Sequence, residues 1–386
     1  MDVEKINDPR SEIDAIDGEL LRLLNRRAEI ALQVGAVKAR ADASLCDPRR
    51  EHEVLLKLAA ANPGPFDDHS IANIFQRIID ESLQLQQKTY REPATVERNE
   101  KSENPILGAG SHVAFLGNRG TFSEEAALGI LGDDCSTVSC ATFDDLFTAI
   151  DRKAADHILA PLENSLIGSV HRCVDLLLES SLSIAAEIIL PISHYLIAGQ
   201  AASFESIRTV ESHPAALAQC ERFFLAHPYL ERIAADDTAG GVRRAIESGD
   251  ETRAGIGGKR TAEIYGGKIL REHLEDNPAN FTRFVLLTSA KTDKDPGSKV
   301  TLVVRLRNRP GSLHGALRPF VRRNIDLLKI ESLPIRDTPE EFNFYLDLQA
   351  PTVDAEMISA IQEIREQAVD VRHLGRYSTI NLETKY

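Results

Sequence analysis

The 386-residue chain is 42% hydrophobic and 27% charged, proportions of a globular protein long enough for about two or three domains, each with its own core. Its formal charge of −14 excludes any global attraction for nucleic acid or an anionic membrane surface, so anions must be met by local clusters of Arg and Lys. The charged opening MDVEKINDPR does not read as a signal peptide, and no apolar run reaches the ~18 residues of a membrane span. The five cysteines form no CxxC, which points to free thiols in the reducing cytoplasm, with no metal or cofactor implied.

No internal repeat is visible. Two polar, turn-rich stretches divide the chain, QQKTYREPATVERNEKSENP at 86–105 and KTDKDPGSK at 291–299. They suggest an all-α domain over 1–90, a linker over 91–109, an α/β domain over 110–290 and an α+β domain over 298–380.

In the first domain Ile13, Ile16, Leu20, Leu23, Leu24, Ile30, Val34 and Val37 recur at helical spacing. They predict one helix of roughly 30 residues, about 45 Å long, which needs a partner helix to cover it. A second helix is expected from Pro48 and a third over about 67–90. Arg27 and Lys38 lie eleven positions apart, so they share one face of the first helix, ~16 Å apart along its axis. That face is the apolar one, where cations are out of place unless they meet an anion. Arg10 is about 25 Å from Arg27 by the same rise and can join that site only from a second, antiparallel copy. Asp47, Arg50 and Glu51 cluster at the second helix start, and Ser82 and Gln86 sit one turn apart on the third. Read alone, these are either a site or the ordinary polar surface of a bundle.

The ordered set Arg10, Arg27, Lys38, Asp47, Arg50, Glu51, Ser82 and Gln86, framed by REHEVLL and IFQRIIDESLQLQQ, resembles the all-helical chorismate mutase family. The resemblance implies that Arg27 and a partner's Arg10 grip the carboxylates of chorismate. Lys38 and Gln86 would donate to its ether oxygen, Asp47 and Glu51 would hold its hydroxyl, and Arg50 and Ser82 would complete the wall. Cys46 stands where the family often carries another Arg.

Residues 110–290 alternate short apolar strands with helices, with strands read at HVAFLG, HILAPLE, IAAEIILPISHYLIAG, IRTVES, RAGIGG and RFVLLTS. Four strands run into helix starts through small polar residues: Thr121 and Ser123, Glu163-Asn164-Ser165 before a helix near Ser169, Ser212 before Pro214, and Thr238 as N-cap. One such junction is plain capping; four at strand ends make an anion cleft. PLENSLIGS, SHPAALAQC and NFTRFVLL together resemble the prephenate dehydratase family, two-lobed and similar to periplasmic binding proteins. The resemblance makes Thr282 the main catalytic residue, assisting departure of the ring hydroxyl. Arg283 would bind a carboxylate or brace the loop, and Thr121, Ser123, Glu163, Asn164, Ser165, Ser212 and Gln219 would line the cleft. His213 is either a proton carrier or a structural imidazole. The same segments are also similar to plant arogenate dehydratases, so the substrate is prephenate or arogenate.

The last segment reads β-α-β-β-α-β. Pro310-Gly311-Ser312-Leu313 and Glu331-Ser332 resemble the phenylalanine-binding motifs of ACT domains, with a ferredoxin-like fold. Leu333 stands where the second motif usually has Arg. The three parts in this order resemble a bifunctional chorismate mutase/prephenate dehydratase family with feedback by L-phenylalanine and a dimer or higher homo-oligomer. The competing reading is a small-anion binding module joined to an amino-acid sensor, with no chemistry.

Overall fold

The computed structural model describes residues 4–40, 48–90, 107, 110–130, 136–291, 297–335, 338, 340–351 and 353–382. These gather into two units: described residues within 1–102, 306–327 and 351–369 form one, and those within 103–305, 328–350 and 370–386 the other.

The first unit begins with three helices, α1 (Glu4–Arg40), α2 (Pro48–Ala60) and α3 (Asp68–Tyr90). The long helix expected from the apolar period is present and runs 37 residues. Both α1 and α2 pack on α3, whose Gln76, Ile79, Leu83 and Gln86 form the buried stripe, spaced three and four apart. Gly35 lets α1 approach closely: a Cβ there would stand 3.0 Å from Gln86 Cγ and 3.1 Å from the Tyr90 ring. Much of the apolar stripe of α1 stays uncovered in the single chain, with Ile13, Ile16, Leu20 and Ile30 all more than half exposed.

The second unit opens with a lobe of β1 (His112–Leu116), α4 (Phe122–Ile130), β2 (Ser136–Cys140), α5 (Phe143–Thr148), β3 (His157–Asn164), the short β4 (Gly168–Ser169), α6 (His171–Glu179) and β5 (Ser183–Pro191). The chain then crosses to a second lobe. It holds β6 (Tyr195–Ala198), β7 (Thr209–Ser212), α7 (Pro214–Ala218), α8 (Glu221–Ala226), β8 (Glu231–Ala234), α9 (Thr238–Glu247), β9 (Arg253–Gly257), α10 (Lys259–Tyr265) and β10 (Lys268–Arg271). It returns through β11 (Phe281–Thr288), which inserts antiparallel between β3 and β5. The first lobe's strands run β5-β11-β3-β1-β2 and the second's β10-β6-β9-β7-β8. Central strands such as β1 and β3 are buried on both faces, which explains their near-continuous apolar runs.

Several local expectations change. IAAEIILPISHYLIAG is two strands in different sheets; β5 ends at Pro191, which has no N–H to donate, and β6 begins at Tyr195. The cap of α9 is Asp237, whose carboxylate accepts from Gly240 N at 2.5 Å, and Thr238 is already helical. The helix expected near Ser169 starts at His171, because Gly168–Ser169 pair as β4 with β3. Strands β2, β8 and β10 escape the sequence reading because they are short, polar edge or near-edge strands.

The C-terminal segment follows the expected order: β12 (Lys299–Arg307), α11 (Ser312–Arg322), β13 (Leu327–Pro334), β14 (Glu341–Gln349), α12 (Asp354–Arg365) and β15 (Asp370–Asn381). Its strands run β13-β14-β12-β15, and the far end of β15 pairs in parallel with Ala186–Ile189 of β5. This joins it to the first lobe's sheet. In the other unit, α11 packs on α12 and against α3.

Candidate active sites

Helices α1, α2 and α3 enclose a pocket of about 370 Å³. Six of the eight expected polar residues line it: Arg27 and Lys38 from α1, Arg50 and Glu51 from α2, Ser82 and Gln86 from α3. Ile30, Val34, Val54 and Ile79 supply apolar wall. Arg27 donates to Ser82 Oγ at 2.7 Å, and that hydroxyl donates onward to the Ile78 carbonyl at 2.7 Å. Gln86 Nε2 donates to the Ala31 carbonyl, which ties α3 to α1 through one amide proton and leaves the other for a ligand. The Glu51 carboxylate is held by the Arg322 guanidinium at the end of α11, a neighbour 271 positions away that no local pattern foretells. Three cations against one carboxylate make a cradle for a dianion. Arg10 is exposed near the start of α1 and does not line this pocket. Asp47, like Cys46, lies outside the described residues.

The second site lies where the strand ends of the two lobes meet. In the pairing of β3 with β11, Asn164 stands opposite Thr282 and Glu163 opposite Arg283. Side chains alternate along a strand, so the two pairs face opposite sides of the sheet. On one side Asn164 Nδ2 donates to Thr282 Oγ1 (3.1 Å), Asn280 Oδ1 (2.9 Å) and the Phe281 carbonyl (3.1 Å). Gln219 Nε2 reaches Asn164 Oδ1 at 3.3 Å, while Gln219 Oε1 meets Asn280 Nδ2 at 3.0 Å and His194 Nε2 at 2.7 Å. Ser165 Oγ accepts from Phe281 N at 3.0 Å, fixing the loop beside them. This joins expected residues Asn164, Ser165, Gln219 and Thr282 to two unexpected ones, Asn280 and His194. Asn280 adjoins the TRF segment and was legible there. His194 carries no periodic signal, since it sits in the crossing between sheets.

Other expected residues stand apart from this network. Ser212 is fully buried and donates to the Ile256 carbonyl at 2.7 Å. Thr121 is buried and donates to the Asn118 carbonyl at 2.9 Å, beside the Asn118–Asp237 contact that links the lobes. Ser123 is half-buried in the first turn of α4. His213 Nδ1 accepts from Ala215 N at 3.2 Å, which makes it the N-cap of α7, and burial lowers its pKa. Cys140, Cys173 and Cys220 are free and buried, and burial pushes the Cys173 thiol up to about 12, far from a nucleophile's range.

Arg283 points away from the network and is buried among carboxylates. It pairs with Glu187 and with Asp347 at 2.7 Å, approaches Glu163 at 3.5 Å and donates to Tyr377 Oη at 3.3 Å. Its guanidinium lies among these carboxylates on the side of the sheet opposite Thr282. Glu163 belongs to the same cluster through Lys329 at 2.8 Å. Burial would push Glu187 up, but Arg283 and Lys299 together hold it below the usual carboxylate range. Arg283→Met should cost about 3–5 kcal/mol, because it strands buried carboxylates; an unchanged denaturant midpoint would contradict this.

In the C-terminal segment Pro310–Leu313 lead into α11, with Gly311 at φ 84°, a conformation that suits glycine. On β13, Glu331 accepts from Ser169 Oγ at 2.5 Å, Ser332 is exposed, and Leu333 is buried in the main apolar cluster of its unit. Arginine at 333 would be buried there, a physical reason for the departure from the motif.

Sequence profiles of three families match in chain order: chorismate mutase type II over residues 9–87, prephenate dehydratase over 113–292 and the ACT domain over 300–366. A bifunctional chorismate mutase/prephenate dehydratase of Neisseria gonorrhoeae is 35% identical over 371 residues, covering 96% of each chain. The chain belongs to the bifunctional chorismate mutase/prephenate dehydratase family. An arogenate dehydratase/prephenate dehydratase of Arabidopsis thaliana is 37% identical over 298 residues, 74% of this chain and 77% of its own. The solved prephenate dehydratase of Arthrobacter aurescens, in complex with L-Phe, superposes with a TM-score of 0.64 at 28% identity over 69% of this chain and 90% of that one. The two chemistries of the family are thus both carried here: rearrangement of chorismate to prephenate, and decarboxylation with dehydration of prephenate to phenylpyruvate. Among the described residues no helix is long and apolar enough to cross a membrane.

Proposed function

We propose that the helical pocket holds chorismate in its reactive conformer and that the Asn164–Thr282 network acts on prephenate. The observation carrying the first half is the convergence of Arg27, Lys38, Arg50, Glu51, Ser82 and Gln86 on one pocket. The rearrangement is pericyclic and needs no proton transfer. It gains from fixing the conformer and from stabilising negative charge that grows on the ether oxygen. Arg27, with Arg10 of a second copy, takes the carboxylates, Lys38 and Gln86 donate to the ether oxygen, Glu51 with Asp47 holds the hydroxyl, and Arg50 and Ser82 complete the wall.

Arg10 completes this site from a second copy. The exposed apolar stripe of α1 supports a dimer, since a contiguous apolar face of that size favours burial against a partner. Mixing an Arg10→Ala chain with a Lys38→Ala chain tests it. In the mixed dimer one site keeps both residues, so subunit exchange should restore about a quarter of wild-type mutase turnover. No recovery in a mixed, dimeric sample would overturn the shared site.

In the second site, the C–carboxylate bond of prephenate breaks and its electron pair enters the ring. The ring C–O bond then breaks, and the hydroxide, hydrogen-bonded by Thr282 as it leaves, takes a proton from solvent and becomes water. Thr282 Oγ1 already accepts from Asn164, which polarises its own O–H as a donor to that departing oxygen. Gln219 and Ser165 orient the substrate. The dianion lacks the amino group of arogenate, and prephenate is the substrate by the full-length relatives. Greater turnover on arogenate than on prephenate would reverse this assignment.

L-Phenylalanine binds the segment of residues 298–380, at Pro310–Leu313 and Glu331–Ser332, and lowers dehydratase turnover in the cytoplasm. The L-Phe complex of the Arthrobacter aurescens relative supports this. Millimolar phenylalanine should reduce dehydratase turnover several-fold, and equal rates with and without it would reject the reading. Domain boundaries of 1–90, 110–290 and 298–380, with a linker over 91–109, complete the proposal.

A further inference from the structure

We infer that His194 is a positioning residue for the dehydratase reaction, locking the amide of Gln219 in the one orientation that serves the cleft. This rests on the reading of Thr282 as hydrogen-bond donor and of Gln219 as a substrate contact.

His194 lies in the crossing between β5 and β6 and is 2% exposed. Its ring packs edge-on against Phe122, with centroids 5.7 Å apart, and its backbone N–H donates to Glu275 at 2.7 Å. Its Nε2 lies 2.7 Å from Gln219 Oε1, while its Nδ1 is buried without a partner. An amide oxygen only accepts, so Nε2 carries the proton and Nδ1 is the bare nitrogen, the cheaper one to leave unpaired. Burial lowers the pKa of the ring, consistent with a neutral imidazole.

The polarity of the next links follows. Asn164 Oδ1 accepts from Leu166 N at 3.1 Å and Ile167 N at 3.2 Å, so its Nδ2 must face Thr282. Gln219 must then turn its NH₂ toward Asn164 Oδ1 and its oxygen toward His194 and Asn280. The chain of donors runs one way, from His194 through Gln219 and Asn164 to Thr282. The second amide proton of Gln219 has no acceptor among the described residues and is free for a substrate carboxylate. Without the His194 donor, Gln219 Oε1 keeps only Asn280 Nδ2 at 3.0 Å, and the amide is held less firmly in this orientation. Rotated by half a turn, it sets its oxygen against Asn164 Oδ1 and against an anionic substrate.

The test uses the full chain assayed on prephenate. His194→Phe keeps an aromatic ring and removes the donor; His194→Gln keeps a donor where Nε2 stands. We expect His194→Phe to lower dehydratase kcat/KM roughly tenfold, His194→Gln to stay within about twofold of wild type, and mutase turnover to be unchanged in both. In a Gln219→Leu background, His194→Phe should cost nothing further. Wild-type kcat/KM in His194→Phe overturns the inference, as does an equal loss in both backgrounds. If His194→Phe fails to fold, His194→Gln decides: near-normal kcat/KM upholds the role, and a tenfold loss at an unchanged melting temperature removes it. Wild-type turnover in Thr282→Val would instead sink the underlying reading of the cleft.

Discussion

Lys38→Ala is expected to reduce chorismate mutase turnover by roughly 10²–10³-fold, about 3–4 kcal/mol of transition-state stabilisation, while dehydratase turnover on added prephenate stays at the wild-type level. Lys38 lines the pocket from α1, on the face it shares with Arg27. The carboxylates of chorismate carry full charge before and during the rearrangement, so their arginine partners bind ground and transition states alike. The ether oxygen gains charge only as its bond breaks. A cation there acts on the barrier, so the loss should appear in kcat more than in KM. The dehydratase network lies in the other unit and shares no residue with the pocket. Undiminished consumption of chorismate by Lys38→Ala would remove the residue from the mechanism.

Thr282→Val should lower dehydratase kcat by roughly 10²-fold with mutase turnover intact. Valine matches threonine in shape and removes only the hydroxyl. Asn164 Nδ2 keeps Asn280 Oδ1 and the Phe281 carbonyl as acceptors, so no buried donor is orphaned and the fold should hold. The lost term is the hydrogen bond to the departing hydroxyl. Aromatisation of the ring supplies much of the driving force, which is why a group as weakly acidic as threonine suffices. Thr282→Ser should retain most turnover. If Thr282→Val and wild type turn over equally, leaving-group assistance comes from elsewhere.

The mutase pocket was legible in the sequence because helices are local. A period of 3.6 residues fixes which side chains share a face, so Arg27 and Lys38 could be paired from spacing alone, and Arg10 separated from them. Their partner on Glu51, Arg322, comes from 271 positions downstream, and no local pattern reports that. The dehydratase cleft was legible as motifs and less so as geometry. Strand alternation, applied strictly, separates Thr282 from Arg283 and Asn164 from Glu163, because neighbours in a strand face opposite sides. Glu163 and Arg283 therefore share the face opposite that of Asn164 and Thr282. Ser212 and Thr121 were expected from their place at strand ends, and their hydroxyls donate to the Ile256 and Asn118 carbonyls. His194 was illegible for another reason: it lies where one apparent strand is in fact a crossing between two sheets. Leu333 shows the reverse case, a departure from motif that burial explains once β13 is seen.

Coupling of the two reactions is read by following one substrate through the purified full-length chain. Chorismate alone is supplied at neutral pH, and chorismate, prephenate and phenylpyruvate are resolved over time. Chorismate should disappear, prephenate should rise transiently, and phenylpyruvate should accumulate to the same molar amount as the chorismate consumed. Chorismate that persists, or prephenate that accumulates without phenylpyruvate, would contradict this.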